Sequence, residues 1–298
     1  MPPEPPADPV LHALHAVGLA AAYPALQAAQ ARLEAARTRA DRNTQGGDAA
    51  QQWNPGLVLH HAVSYWLATR AAAYVLEGRD LPGPLLDVGA GAGAFSVWAA
   101  GLLERPLVVA EPDPDHRRLA GRAFSEATVV ADIADAPPAP IVVAMEVIEH
   151  IPRTDQRAFL AAFCGRVLPG GVAILSTPDE SGFPGGWSGY APHIGQVTAG
   201  QLLALLGAVT DWPAAVYRIH GPGFKLGALS RRTIPAVNRA WTGMQQHLPG
   251  PASFFMRLSA RFGKRRSRVA HVDDAAFTVT PASEGDGTGL IAVVRAPG

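Results

Sequence analysis

Three alternating glycines between two acids form the clearest chemical feature of this chain. An apolar segment ends in Asp87 and continues through Gly89, Gly91 and Gly93, and Glu111 ends the next apolar segment. Glycines have no side chain, so the backbone here can turn tightly and approach a ligand closely. A carboxylate at the position of Glu111 can accept both hydroxyls of a ribose. The pattern predicts a crevice for an adenosine-bearing cofactor.

Asp87 distinguishes between the two cofactors that fit this crevice. Gly89, Gly91 and Ala94 also satisfy the dinucleotide-binding pattern, which is weak evidence by itself. An ionised acid just before the glycines would repel a pyrophosphate in a poorly hydrated crevice and attract an ammonium group. We therefore expect a cofactor that joins adenosine to a methionine moiety, with a nicotinamide dinucleotide as the alternative.

Glu146, Glu149 and His150 form a second group of reactive side chains. If a helical turn follows the preceding apolar segment, the three lie on one face, because positions i, i+3 and i+4 are neighbours on a helix. A divalent cation would neutralise their charges. Oxygen ligands favour Mg²⁺ or a similar hard ion, whereas imidazole also admits Zn²⁺, Fe or Mn. In the alternative interpretation no metal binds, and these residues only tie the loop together.

Composition limits the function classes that this chain can belong to. With 298 residues, 48% of them hydrophobic and 17% charged, it can bury a core, and we expect one large domain with an appendage. A formal net charge of zero provides no global field that would recruit nucleic acid or a membrane. The single cysteine, Cys164, excludes a disulfide framework. The acidic, proline-rich N-terminus is unlike a signal peptide, and we expect a cytoplasmic protein.

The chain divides into a helical part and a part of alternating strands and helices. Residues 1–80 are predicted to be a helical N-terminal extension, or cap, with helices from Asp8-Pro9 to Tyr23, from Pro24 to about Asn43 and from Pro55 to about Glu77. Residues 81–298 alternate between apolar strands and helices, which predicts a parallel sheet with crossover helices.

Seven strands are predicted in the second part. They are Leu85–Val88, Leu107–Ala110, Thr128–Ala131, Ile141–Ala144, Val172–Ser176, Ala215–His220 and Leu290–Arg295. The helices predicted between them include Phe95–Leu103, Asp155–Val167 and Thr198–Leu206. The carboxyl ends of the strands should form the ligand crevice.

The chain resembles class I S-adenosylmethionine-dependent methyltransferases in five motifs, which are LLDVGAGAGAF, VVAEPD, VVADIAD, AMEVIEHIP and VLPGGVAILSTPD. The resemblance covers residues 54–220 and resumes in the last strand. The chain is most similar to the branch that contains ubiquinone-biosynthesis O-methyltransferases and small-RNA 3′-terminal 2′-O-methyltransferases. The resemblance implies an α/β, Rossmann-like fold with a seven-stranded, mostly parallel sheet, helices on both faces and S-adenosylmethionine as cofactor.

The resemblance also implies roles for individual cofactor-binding residues. Asp87 and the glycines would meet the methionine end of the cofactor, and Glu111 its ribose. The remaining implied contacts are Asp132 with the adenine amine, Met145 packed beside the cofactor and Arg70 paired with the methionine carboxylate. Asp135, one helical turn after Asp132, could replace it.

In the resembled branch, the Glu146, Glu149 and His150 positions and a later histidine bind a metal that contacts the substrate hydroxyls. His193, just before the predicted helix at Thr198, stands where that later histidine is expected. His150 or His193 could instead act as the general base, an effect of about 10²–10⁴-fold. The His60-His61 pair is interpreted as structural or solvated.

A long insertion, residues 222–286, is predicted before the last strand. Within it, residues 251–268 read as an amphipathic helix with six basic residues and no acids. Such a helix can pack on the sheet with solvated charges, contact an anionic membrane or lipid-like substrate, or grip the phosphates of a nucleic acid, and the last is the weaker case.

These observations predict O-methylation of a small or lipid-like hydroxylated molecule, assisted by a metal if the metal site is real. The alternatives are RNA 2′-O-methylation and a non-catalytic, cofactor-binding regulatory protein.

Overall fold

The computed structural model describes residues 8–38, 55–221, 277–283 and 287–298, together with 233, 235, 236 and 238–240. Most of the predicted insertion, including the basic stretch 251–268, lies outside the described residues. Among the helices that are described, none is both long and apolar enough to cross a membrane.

Three helices precede the sheet in the part of the chain that the structure describes. They are α1 (Pro9–Ala13), α2 (Leu19–Ala36) and α3 (Pro55–Val75). Asp8 caps α1 by accepting hydrogen bonds from the Val10 and Leu11 amides. Gly18, in the left-handed region at φ 91°, sets the start of α2.

Within the described residues the sheet has eight strands. They are β1 (Leu85–Val88), β2 (Leu107–Ala110), β3 (Ala127–Val130), β4 (Ala139–Met145), β5 (Val167–Pro178), β6 (Ala214–His220), β7 (Thr278–Pro281) and β8 (Gly289–Arg295). Their order is β3-β2-β1-β4-β5-β8-β6-β7. Strands β1 to β5 are parallel, β8 is antiparallel to β5 and β6, and β7 is antiparallel to β6.

Helices cover both faces of this sheet. Those that follow strands are α4 (Ala94–Leu102), α5 (Pro114–Ala123), α6 (Gln156–Cys164) and α7 (Ala199–Gly207). Along β1, Leu85 packs in the core formed with α1 to α4, whereas Leu86 and Val88 pack in the core formed with α6 and α7. Because side chains alternate along a strand, Asp87 faces the side of α3. The predicted α/β class and mostly parallel sheet are confirmed.

The eighth strand, β7, differs from the seven-stranded prediction. It lies inside the predicted insertion 222–286 and pairs with β6 at the edge of the sheet. Its residues, TVTP, include the β-branched types that favour strands, but the segment is only four residues long. A strand this short gives little alternation from which to predict it.

The predicted helix break at Pro24 is wrong. Pro24 lies inside α2, and the chain breaks earlier, between α1 and Gly18. A proline removes one backbone hydrogen bond from a helix. Burial of Leu19, Tyr23 and Leu26 on one face of α2 offsets that loss.

The helix predicted over Asp155–Val167 ends at Cys164, and β5 starts at Val167 rather than Val172. Val167 pairs with Ala139 of β4, after which the register shifts and Val172 pairs with Ile141. The intervening Pro-Gly-Gly therefore forms an irregularity within a long strand.

Candidate active site

The crevice lies at the carboxyl end of β1, in the middle of the parallel part of the sheet. β1 is hydrogen-bonded to β2 on one side and β4 on the other, so the loops after β1 and β4 meet at the carboxyl edge. Gly89 has φ 75°, and a Cβ there would lie 2.7 Å from Cγ2 of Val147 in the loop after β4. Only a glycine allows the two loops to approach this closely.

Asp87 is fully buried at this edge. Its Oδ2 accepts a hydrogen bond from the Tyr65 hydroxyl of α3 at 2.8 Å, while its Oδ1 is buried without a hydrogen-bond partner. Burial raises the pKa of this carboxyl to about 7. A buried acceptor without a donor is costly, and the ammonium of a methionine moiety would satisfy it. The residues therefore fit the cofactor that the resemblance implies.

Glu111 organises the glycine loop from the end of β2. Its Oε2 accepts from the Gly91 amide at 2.7 Å, and its Oε1 accepts from the Asp113 amide at 2.9 Å. The carboxylate is buried yet sits beside the loop, where each oxygen retains a second acceptor position. Gly93, at φ 81°, begins α4, and Gln30 and Leu33 of α2 line a cleft with the loop.

Asp132 and Met145 lie after β3 and at the end of β4, and their contacts with the cofactor stay predictions. Asp132 is exposed after β3 and caps a 3₁₀ turn through the Ala134 amide at 2.8 Å. Asp135 is also exposed and lies in the same 3₁₀ turn. Met145 is the buried last residue of β4.

Arg70 lies away from this edge. It follows Tyr65 by five residues on α3, which is about 7.5 Å farther along the helix and about 140° around it. Its Nη2 hydrogen-bonds to His15 Nε2 at 3.2 Å. The contact of Arg70 with the methionine carboxylate stays a prediction.

The predicted helical turn after β4 is wrong. Glu146 has φ 59°, a left-handed conformation that is uncommon for a residue with a side chain, and Ile148–His150 then form a 3₁₀ turn. The three predicted ligands therefore do not share one helical face. The carboxylate of Glu146 instead lies 3.4 Å from His60 Nε2, and its Oε1 accepts from the Ser176 hydroxyl at 2.6 Å.

His60 and Glu146 form a buried ion pair. Burial alone would lower the pKa of His60, but the Glu146 charge reverses this and raises it. Burial likewise would raise the pKa of Glu146, and the His60 charge holds it below its usual range. The neighbouring His61 is different, because burial lowers its pKa to about 4 and its ring packs on Phe95.

Glu149, His150 and His193 converge. One ligand atom from each lies within 4.8 Å of the other two. Glu149 Oε2 accepts from the Thr177 hydroxyl at 3.0 Å, and its buried Oε1 has no hydrogen-bond partner. Burial, followed by the nearby charge of Glu146, raises the pKa of Glu149. This set fits a divalent cation, with Glu146 outside it.

Close packing between two loops brings His193 to His150. The Gly195 amide donates to the Glu149 carbonyl at 2.8 Å, and a Cβ at Gly195 would overlap the Ile151 carbonyl oxygen. The Gln156 side chain donates to the carbonyls of Ile148 and Gly195 and joins the two segments. The rings of His150 and His193 lie 5.1 Å apart, edge to face.

Sequence reasoning missed three residues of this site, namely His60, Tyr65 and Glu180. His60 was interpreted as structural or solvated, and Tyr65 and Glu180 were not singled out. Tyr65 follows His61 by one helical turn, so both lie on one face of α3, and this spacing was the available signal. Nothing in the local sequence links Glu180 to His193, thirteen residues later.

Solved structures of other proteins are similar to this chain at low identity. Phosphoethanolamine N-methyltransferase 2 of Haemonchus contortus is 14% identical, with a TM-score of 0.47 over 78% of this chain and 53% of that one. The plantazolicin methyltransferase is 12% identical, with a TM-score of 0.49 over 91% of this chain and 96% of that one. An Archaeoglobus fulgidus S-adenosylmethionine-dependent methyltransferase is 12% identical, with a TM-score of 0.45 over 78% and 94%. This chain thus spans about half of the Haemonchus contortus protein, and similarities this low carry no information on the acceptor.

No curated protein matches the chain. A family model described as a methyltransferase domain, however, matches residues 59–232, which include the glycine loop, Glu111 and the cluster of Glu149, His150 and His193. This match spans more than half of the 298 residues. The chain therefore belongs to the methyltransferase domain family.

Proposed function

We propose that this protein transfers the methyl group of S-adenosylmethionine to a hydroxyl oxygen of a small or lipid-like molecule, with a divalent metal assisting. The observation that carries the proposal is the convergence of Glu149, His150 and His193 beside the crevice that holds Asp87 and Glu111. The crevice suits a methyl donor, and the cluster suits activation of an oxygen nucleophile.

The cofactor side of the crevice would bind and orient the donor. Asp87 would pair with the ammonium group of the donor, and Glu111 would accept hydrogen bonds from its ribose hydroxyls. The glycine loop would let the backbone approach the donor closely. S-adenosylmethionine supplies a methyl group on a good leaving group, so the main task of the protein is to place the nucleophile in line. Holding that geometry can contribute roughly 7–11 kcal/mol.

The acceptor side would prepare the hydroxyl. A divalent ion at Glu149, His150 and His193 would lower the pKa of an acceptor hydroxyl. The histidines also suit a general base, because each offers a ring nitrogen to the site. The Pro192 carbonyl accepts from His150 Nδ1 at 3.2 Å, which leaves Nε2 of a neutral ring as the acceptor.

We also propose the divisions of the chain and its relationship to the resembled branch. The N-terminal part, residues 1–80, would cap the donor, as supported by the cleft between α2 and the glycine loop. The insertion, residues 222–286, would cover the acceptor side. The similarity to ubiquinone-biosynthesis O-methyltransferases supports a small or lipid-like acceptor.

The test is incubation of the protein with methyl-labelled S-adenosylmethionine and cell extract, followed by fractionation into lipid, small-molecule, RNA and protein pools. Alkali-stable label in the lipid or small-molecule pool, lost with a chelator, is the expected result. Label in the RNA pool, with substrate binding that weakens steeply as salt increases, would contradict a small or lipid-like acceptor and favour RNA 2′-O-methylation. Protein that binds the cofactor but labels no pool would favour the regulatory alternative.

A further inference from the structure

We infer that the metal site has three ligands, namely Glu149, His150 and His193, and that Glu146 is not one of them. Glu180 completes the site as a positioning residue, because it fixes the orientation of His193. This inference rests on the proposed function, because it concerns the acceptor side of the same crevice. It removes Glu146 from the ligand set that the resemblance implies, and it adds Glu180 as a residue outside that set that orients His193.

Glu180 is held firmly where β5 ends. It lies in the 3₁₀ turn Glu180–Gly182 and is only 4% exposed. Its Oε1 accepts from the Ser188 hydroxyl at 2.5 Å, and its Oε2 accepts from the Ser188 amide at 3.2 Å. The same Oε1 accepts from His193 Nδ1 at 2.7 Å. A carboxylate with this many fixed donors gives His193 a single partner in a defined direction.

The His193 ring has little freedom to turn. Its Nδ1 is engaged by Glu180, Tyr190 packs against it edge to face at 4.8 Å between ring centroids, and His150 does so at 5.1 Å. The ring is only slightly exposed, at 13% of its side chain. With Nδ1 donating to a carboxylate, the neutral ring presents Nε2 as its lone-pair atom.

The same logic gives the other two ligand atoms. His150 Nδ1 lies against the Pro192 carbonyl, so Nε2 is the acceptor of that ring too. Glu149 contributes Oε1, a buried oxygen without a hydrogen-bond partner that lies 3.9 Å from His150 Nε2. With Glu149 ionised and both rings neutral, the three atoms that face each other are all acceptors, and a cation between them would satisfy all three.

Glu146 is already committed elsewhere. Both of its oxygens have partners, His60 at 3.4 Å and the Ser176 hydroxyl at 2.6 Å, and its left-handed backbone directs it there. To bind a metal it would have to leave His60 as a buried, uncompensated charge. Two imidazole nitrogens and one carboxylate oxygen favour Zn²⁺, Fe²⁺, Co²⁺ or Mn²⁺ over Mg²⁺.

Titration with Co²⁺, followed by calorimetry and by visible absorption, tests this assignment with two matched isosteric variants. Loss of a carboxylate that orients a metal-binding histidine costs about 10–100-fold in affinity. We therefore expect Glu180→Gln to bind Co²⁺ that much more weakly and with an altered spectrum. Glu146→Gln should bind with close to wild-type affinity and an unaltered spectrum.

A second variant, Ser188→Ala, tests the inference even if Glu180→Gln fails to fold. It removes the hydroxyl that donates to Glu180 and leaves the Glu180 carboxylate in place. It should weaken Co²⁺ binding in the same direction and by less. Wild-type affinity in Glu180→Gln, a loss confined to Glu146→Gln, or no Co²⁺ binding by the wild-type protein would each overturn the inference. S-adenosylhomocysteine titrated into the same samples reports on the proposed function separately, since the hydrogen bonds described for Glu146, Glu180 and Ser188 are made to residues outside the glycine loop.

Discussion

The two sides of the crevice are built in different ways. On the cofactor side, Asp87, the glycines and Glu111 come from two neighbouring strands and the loops after them, within one short stretch of sequence. On the acceptor side, His60, Glu146, Glu149 and His193 come from a helix before the sheet, the end of β4 and a loop some forty residues later. The first side is local in sequence, and the second exists only after folding.

Glu146 and Glu149 show what this difference means for two residues of one type. Glu146 is stabilised as an ion by His60, whereas Glu149 is buried with an unpartnered oxygen and a raised pKa. They are only three residues apart, and contacts from distant elements give them opposite environments. Identical side chains in one motif can thus have separate functions.

The largest expected effect is a loss of methyl transfer that leaves cofactor binding nearly unchanged. Replacing both Glu149 and His150 with alanine removes the metal ligands or the base, so methyl transfer should fall by about 10²–10⁴-fold. Binding of S-adenosylhomocysteine should change little, because the glycine loop and Glu111 are untouched. Labelled-methyl turnover and calorimetry measure the two quantities, and wild-type turnover in the double variant would refute the role of this cluster.

A stability measurement tests the ion pair of the acceptor side. His60→Ala leaves Glu146 as an uncompensated buried charge, so the free energy of unfolding should fall by roughly 3–5 kcal/mol. The control is His61→Ala, which removes a neighbouring neutral ring and should cost about 1 kcal/mol. Urea unfolding of both variants measures the difference, and equal losses would mean that the pair contributes little.

On the cofactor side, Glu111→Ala should weaken S-adenosylhomocysteine binding by about 10–100-fold, which corresponds to roughly 1.5–3 kcal/mol for hydrogen bonds to a charged group. Asp115→Ala is the matched control, because Asp115 lies four residues later and pairs with Arg118 on the surface. Calorimetry should find its affinity unchanged. An unchanged dissociation constant in Glu111→Ala would remove the ribose assignment.

The smallest expected effect is a pH dependence of cofactor binding. The pKa of Asp87 is raised to about 7, so the free protein protonates this carboxyl as the pH falls below that value. A bound ammonium favours the ionised form, and affinity should therefore weaken by up to about tenfold per pH unit below pH 7. Titrations from about pH 7.5 to about 5.5 measure this, and Asp87→Asn should flatten the profile. A flat wild-type profile would contradict the assignment.

The same shift affects stability in the opposite sense to that of an acid whose pKa is lowered, such as Glu146. In the unfolded chain the pKa of this carboxyl has its ordinary value of 3.8, whereas in the folded protein the pKa is about 7. The contribution of Asp87 to the stability of the free protein therefore falls as the pH rises from about 4 to about 7.

The sequence predicts the cofactor side of the crevice better than the acceptor side. The fold class, β1, β2 and the residues of the glycine loop follow from alternation and glycine spacing, which are local signals. The helical turn that was predicted to place Glu146 beside Glu149 and His150 is wrong, because Glu146 is left-handed and its side chain contacts His60. Glu180 reaches His193 through a loop whose path depends on tertiary packing, and no local pattern marks it. Arg70, Asp132 and Met145 stay predictions as cofactor contacts.

Titration of S-adenosylhomocysteine into the wild-type protein tests the central claim most directly, with reduced nicotinamide dinucleotide as the competing ligand. The structure predicts one molecule bound per chain, with proton release below pH 7 and no binding of the dinucleotide. Binding of the dinucleotide without binding of S-adenosylhomocysteine would contradict the assignment of the crevice.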